Sequence, residues 1–188
     1  MPATIGFDVD GVLGDYPGFI KSAARELGIT ITATRYPDTW FMIEDGWFSN
    51  RDEWAVCHEW VLSNCRDMPW LDVHAAEQSR ILKDHGFEVV VVTSRTPKGN
   101  ATEDMVFGGT AEFLEKGGFL FDDLIFSDDD KSIYGLDILL DDSPLVHKAL
   151  SNDSTHPVIR SQPYNLDVQG TRVADTVQYR KLVEEAYL

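Results

Sequence analysis

Apolar residues fall into short runs separated by longer stretches with helical spacing. Thr4–Val9 is a short apolar strand that ends in carboxylates, and Phe87–Thr93 is the clearest buried strand, with four consecutive valines between polar ends. Leu124–Phe126, Asp137–Leu140 and His156–Arg160 read as further strands. Between them the pattern predicts helices. One covers Pro17–Leu27, with Asp15 as its cap and Gly28 as its stop. A second covers Asp72–His85 and is stopped by Gly86, and a third, weakened by Gly108 and Gly109, runs to Lys116. Ser143-Pro144 opens a fourth, and Asp175–Tyr187 closes the chain as an amphipathic helix with Val183 and Tyr187 on one face. Strands alternating with helices predict an α/β fold built on a parallel sheet with helices on both faces.

Residues 30–70 break this rhythm. They hold all five tryptophans (Trp40, Trp47, Trp54, Trp60 and Trp70) together with Tyr36, Phe41 and Phe48. Ser49–Cys65 has helical spacing, with Trp54, Val61 and Cys65 roughly on one side. The expected organisation is a core formed by residues 1–16 and 71–188, with a small helical cap at 17–70 inserted after the first strand.

Composition narrows the function classes. The 188 residues are 43% hydrophobic and 26% charged, as in an ordinary globular protein, and no apolar run reaches the length of a membrane span. Sixteen Lys and Arg against 32 Asp and Glu leave a net charge of −16, which repels nucleic-acid polymers and anionic membranes. A small anionic substrate is compatible with that field only where local cations overcome it. Two cysteines, Cys57 and Cys65, eight residues apart and so turned away from each other on a helix, suit a reducing compartment and no mutual disulfide. The N-terminus lacks the pattern of a secretion signal, and the expected location is cytoplasmic. A homodimer is left open.

The candidate chemistry is acidic. Asp8-Val9-Asp10-Gly11 lies where a parallel strand reaches the ligand-binding edge of its sheet, and Gly11 permits the sharp turn that brings both carboxylates to one place. A calcium-binding hand needs glycine sixth and glutamate twelfth in its loop, whereas here glycine is fourth and Phe19 twelfth. Leu139-Leu140-Asp141-Asp142 repeats the arrangement at another strand end. Four carboxylates converging on one edge repel, and a divalent cation with oxygen ligands, Mg2+, relieves this. Thr93 and Ser94, at a third strand exit, suit phosphate oxygens, and Lys131 can neutralise phosphate and nucleophile together. Each feature alone has a plainer reading: a helix cap, a strand-end threonine or a solvated lysine.

Taken in order, Asp8-Val9-Asp10-Gly11-Val12, Thr93-Ser94, Lys131 and Asp141-Asp142 resemble the four motifs of the haloacid dehalogenase superfamily. Within it the chain is similar to the 5′(3′)-deoxyribonucleotidase family, through Asp15-Tyr16, the adjacent Thr-Ser pair and the spacing from Lys131 to Asp142. The resemblance spans nearly the whole chain. It implies a Rossmann-like core and a Mg2+-dependent phosphomonoesterase acting on (deoxy)nucleoside monophosphates through an aspartyl-phosphate. Asp8 is the implied nucleophile. Asp10 is the implied acid and base, with its pKa raised by neighbouring carboxylates. Superfamily dehalogenases lack this second aspartate, which favours phosphate chemistry. The implied metal ligands are Asp8, the Asp10 carbonyl and Asp142, supported by Asp141, while Thr93, Ser94 and Lys131 hold the phosphoryl oxygens.

The expected substrate pocket is Tyr16 and Phe19, with Trp40, Phe41, Trp47 and Phe48 as unranked members that would equally serve as a small aromatic core. Arg95 stands where the family has proline, and it is expected to contact substrate or face solvent. The five histidines show no metal spacing and are assigned no chemistry. Asn165 resembles a closing turn. Two other readings compete: a phosphatase for another small ester, such as a sugar phosphate, and a catalytically silent nucleotide-binding module.

Overall fold

The computed structural model describes residues 2–32, 36–39, 42–127, 131–150 and 154–188. Six parallel strands, β1 (Thr4–Phe7), β2 (Glu88–Thr93), β3 (Asp123–Phe126), β4 (Ile138–Asp141), β5 (His156–Arg160) and β6 (Thr171–Val173), form one sheet in the order β3-β2-β1-β4-β5-β6. β1 is the switch point: the chain first builds outward on its β2 side and then on its β4 side, which opens a crevice at the carboxyl ends of the central strands.

Strand alternation divides the core between the two faces. Ile5, Phe7, Val89, Val91, Ile138 and Leu140 join one large cluster, with α3 (Ala75–Asp84), α4 (Gly109–Lys116) and α6 (Thr176–Tyr187) contributing Leu82, Phe113 and Val183. Val90, Val92 and Leu139 point the other way and pack with Leu150 of α5 (Pro144–Leu150). Phe7 meets Phe119 and Tyr179 edge to face at 5.3 and 5.0 Å, and the Tyr179 hydroxyl donates to the Gly6 carbonyl.

Two helices, α1 (Tyr16–Glu26) and α2 (Arg51–Ser63), lie between β1 and α3. Asp15 caps α1 by accepting from the Gly18 amide, and Asn50 caps α2 by accepting from Glu53. Buried side chains of this stretch, including Ile20, Met42, Trp47, Phe48 and Val61, belong to the same cluster as the sheet. Trp47 and Phe48 are therefore packing residues; Trp40 and Phe41 lie outside the described residues. Cys57 and Cys65 are buried and free.

The structure departs from the sequence pattern in three places. α3 begins at Ala75 because the Asp72 carboxylate accepts instead from the amides of His74 and Thr176, which ties this turn to α6. The glycine-weakened helix opens with a π-helical turn, Asp104–Gly108, and Gly109 fits closely against the Cys65 sulfur. β6 is three residues long, too short for a periodic signal. Among the described residues no helix is long and apolar enough to cross a membrane.

Candidate active site

Beyond β1 the chain folds into a tight loop in which the Val9 carbonyl accepts from the amides of Leu13 (2.9 Å) and Gly14 (2.8 Å). Asp15 N–H donates to Pro69 O and Leu71 N–H to Leu13 O, both at 2.8 Å, so this loop anchors the far end of the inserted stretch. Gly11 adopts φ +77°, and a Cβ there would lie 2.1 Å from Asp142 Oδ2, so conformation and space both demand glycine.

Asp8, Asp141 and Asp142 are buried together, each offering an oxygen within 4.8 Å of the others. Lys131 is buried among them, and its ammonium donates to Asp8 Oδ1 and Asp141 Oδ2, both at 2.7 Å. The Ser143 amide donates to Asp141 Oδ1 at 2.8 Å, so each oxygen of Asp141 accepts one hydrogen bond. His147 Nε2 lies 3.0 Å from the Asp141 carbonyl, a packing role.

Burial pushes the Asp8 pKa up to about 7; Lys131 opposes this, while Asp141 and Asp10 add to it. Burial, then Asp141 and Asp8, raise Asp142 well above the carboxylate range. For Lys131 burial works against the charge, but Asp141 and Asp8 outweigh it and hold its pKa above the ordinary value. Asp142 Oδ1 is buried with no hydrogen-bond partner among the described residues. Three buried carboxylates, Asp8, Asp141 and Asp142, gather around one buried ammonium, that of Lys131, an excess of acidic groups that resists ionisation without a further cation. The oxygen-only donor set, the orphaned Asp142 Oδ1 and this excess fit a single divalent cation such as Mg2+.

The Asp10 side chain stands apart from this cluster. Arg95, only 2% exposed, grips it with two bonds, Nε to Oδ2 at 3.0 Å and Nη2 to Oδ1 at 2.7 Å. Arg95 also donates to Thr110 Oγ1 at 3.0 Å and approaches the Met68 sulfur at 3.1 Å. Arg95 does not face solvent: it lines the cavity with its guanidinium bonded to Asp10 and Thr110. The carboxylates gathered and buried together are Asp8, Asp141 and Asp142.

A cavity of about 340 Å³ opens over these groups. Thr93, Ser94 and Tyr16 line it with Asp8, Asp10, Lys131, Asp141 and Asp142. Phe19 does not: it is buried in the core against Trp60, ring centres 5.2 Å apart. His58 takes the place expected of Phe19. Arg51, Trp54 and His58 follow an i, i+3, i+7 spacing on α2 and present one face to the cavity. Trp54 and His58 stack at 5.0 Å with planes 7° apart.

Burial, then the Asp10 carboxylate, hold the Tyr16 pKa well above its usual value, so the phenol keeps its proton. The Tyr16 hydroxyl and His58 Nδ1 are hydrogen-bonded at 2.8 Å, and the Trp54 indole N–H donates to the same phenol oxygen. Burial lowers the His58 pKa to about 4; Asp10 opposes this and Lys98 and Arg95 reinforce it. Folded His58 therefore refuses, between about pH 6.5 and 4, a proton that the unfolded chain accepts. The stability it contributes is complete above pH 6.5 and is lost as pH falls toward 4, on the order of 2–3 kcal/mol. Thermal unfolding from pH 7 to about 4.5 should show a steeper loss in wild type than in His58→Gln; equal slopes would remove this assignment.

No protein-family model matches the chain, and no curated protein matches it either. Solved structures do. The HAD-hydrolase YfnB from Bacillus subtilis, described as bound to magnesium, superposes with a TM-score of 0.61 at 13% identity, covering 97% of this chain and 99% of that one. The fold is that of the HAD hydrolases. D,D-heptose 1,7-bisphosphate phosphatase from Burkholderia thailandensis (TM-score 0.58, 14% identity, 97% and 98% covered) has the same fold. So does the L-2-haloacid dehalogenase PA0810 (0.56, 11%, 97% and 100%). Identities this low carry the fold and leave the chemistry to the site.

Proposed function

We propose that the chain is a Mg2+-dependent phosphomonoesterase acting on (deoxy)nucleoside monophosphates through an aspartyl-phosphate. One observation carries this reading: Asp8, bonded to a buried lysine through Oδ1, lines a cavity beside Asp142, whose Oδ1 is buried without a hydrogen-bond partner among the described residues. Asp8 and Asp142 would hold Mg2+, with the Asp10 carbonyl as the resemblance implies, and the bound ion would supply neutralisation of the phosphoryl charge. Thr93, Ser94 and Lys131 hold the phosphoryl oxygens.

A carboxylate oxygen of Asp8 forms a bond to phosphorus as the bond from phosphorus to the ester oxygen breaks, and that oxygen leaves with a proton from Asp10. A water molecule then gives a proton to Asp10 and attacks phosphorus, which releases inorganic phosphate and regenerates Asp8. Arg95 fixes the orientation of the Asp10 carboxylate through one bond to each oxygen, and the remaining lone pairs are those that take and give the proton.

The leaving-group wall supports a flat substrate. Tyr16, Trp54 and His58 present ring surfaces with fixed polar edges, and stacking on such a surface is worth about 1–3 kcal/mol per base. Arg51 and Lys98 at the cavity supply local positive charge that the net −16 denies elsewhere. The test is a panel of ribo- and deoxyribonucleotides, sugar phosphates and an aryl phosphate, compared by kcat/KM with Mg2+ and with EDTA. The reading predicts Mg2+-dependent phosphate release with nucleotides preferred. A sugar phosphate preferred over every nucleotide would overturn the substrate class, and no release from any ester would overturn the enzyme.

A further inference from the structure

Asp142 is held by the turn that follows β5. Pro163–Asn165 forms a single 3-10 turn, opened by a bond from the Gln162 amide to Asn165 Oδ1 at 3.0 Å. Three side chains, two from the turn and one from its cap residue Gln162, hold the site. Gln162 Nε2 donates to the Gly11 carbonyl at 2.7 Å, Asn165 Nδ2 to the Asp142 carbonyl at 2.8 Å, and the Tyr164 hydroxyl to Asp142 Oδ2. Arg172 of β6 braces Asn165 through its side-chain oxygen (3.0 Å) and its carbonyl (2.8 Å). The short last strand therefore stiffens the support of an acidic residue on β4's end.

This grip makes the two oxygens of Asp142 unequal. Oδ2 is boxed between the Tyr164 hydroxyl and Gly11, where a Cβ would stand 2.1 Å from Oδ2 and 2.7 Å from the hydroxyl oxygen. Oδ1 is buried without a partner among the described residues. Such a carboxylate offers a cation one oxygen. Mg2+ demands near-ideal octahedral geometry with short bonds, whereas Ca2+ takes six to eight oxygens at longer range and readily accepts both oxygens of one carboxylate.

We infer that Tyr164 makes Asp142 a one-oxygen ligand and thereby biases the site toward Mg2+ over Ca2+. The inference rests on the reading that Asp8 and Asp142 hold a divalent cation. Tyr164→Phe keeps the ring that fills the site and removes only the hydroxyl, which frees Oδ2 to chelate. Calorimetric titration of Mg2+ and of Ca2+ into metal-free wild type and Tyr164→Phe reads this directly, without reference to turnover. Wild type should bind one Mg2+ per chain and Ca2+ more weakly, and Tyr164→Phe should shift the Mg2+-to-Ca2+ affinity ratio toward Ca2+ at least tenfold. Arg172→Gln, which loosens the same turn but leaves the phenol in place, should change both affinities alike. An unchanged ratio in Tyr164→Phe, or an equal shift in Arg172→Gln, overturns the role of Tyr164 and leaves the cation site standing. Failure of wild type to bind either ion overturns the cation site itself.

Discussion

Asp8→Asn should lower turnover by at least about 10³-fold while leaving the metal-free protein no less stable than wild type. Both halves come from the same geometry. The amide cannot form the carboxylate–phosphorus bond, so the chemical step is lost. In the folded protein, however, the Asp8 carboxyl titrates near 7 because burial and the neighbouring Asp141 and Asp10 disfavour its charge more than Lys131 favours it. The unfolded chain loses that proton near 3.8, so at pH 8 without metal the ionised side chain favours the unfolded state. Replacing it with a neutral isostere removes that penalty, and Lys131 keeps Asp141 at 2.7 Å. Thermal unfolding in EDTA at pH 8 should place the variant at or above wild type, and added Mg2+ should reverse the order by stabilising wild type alone. A variant that is less stable in EDTA would show Asp8 to be a structural anion paired to Lys131, and retained turnover would remove it as the nucleophile.

Asp10→Asn should do the opposite to stability. Arg95 is buried, and its charge is answered by Asp10 through two hydrogen bonds. With the carboxylate gone, Thr110 and Met68 remain as neutral neighbours of an enclosed guanidinium. Stranding one member of a buried pair costs about 3–5 kcal/mol, and the lower end applies because the Asp10 side chain is 28% exposed and water can reach the site. For a chain of this length that corresponds to a fall in Tm of roughly 6–12 °C. The double variant Asp10→Asn/Arg95→Met should recover most of the loss, since the two changes are coupled through one contact. Additive losses in the double variant would show that Arg95 is held by its packing and not by the pair. Turnover should fall in Asp10→Asn, most for esters with poor leaving groups, because these need the proton most.

The site was legible in the sequence to the extent that it is built from strand ends. Asp8, Thr93 and Asp141 each terminate or follow a strand of a parallel sheet, and such ends gather at one edge whatever the details of the crossovers. Lys131 precedes β4, so it arrives with Asp141. What escaped depended on contacts with no local signature. Arg95 finds Asp10 across 85 residues of sequence, and nothing in a run of hydroxyls and an arginine distinguishes a buried clamp from a surface charge. Tyr16 and Phe19 are both aromatic and three residues apart, and the tertiary packing of α1 alone decides which one meets the cavity. His58 carried a faint signal, its place on one helical face with Arg51 and Trp54, but a search for metal spacing passes over a histidine whose partner is a phenol. The turn at Pro163–Asn165 matters through where β5 and β6 deliver it, which a three-residue last strand does not announce.

A crystal structure with Mg2+ and beryllium fluoride, which mimics a phosphoryl group bound to a carboxylate, decides whether Asp8 is the nucleophile. The expected structure has the adduct on Asp8, a metal ion bound by Asp8 and by Asp142 through Oδ1, and Lys131 turned onto the fluorides. An adduct on any other residue, or an ion bound away from Asp8 and Asp142, would contradict it.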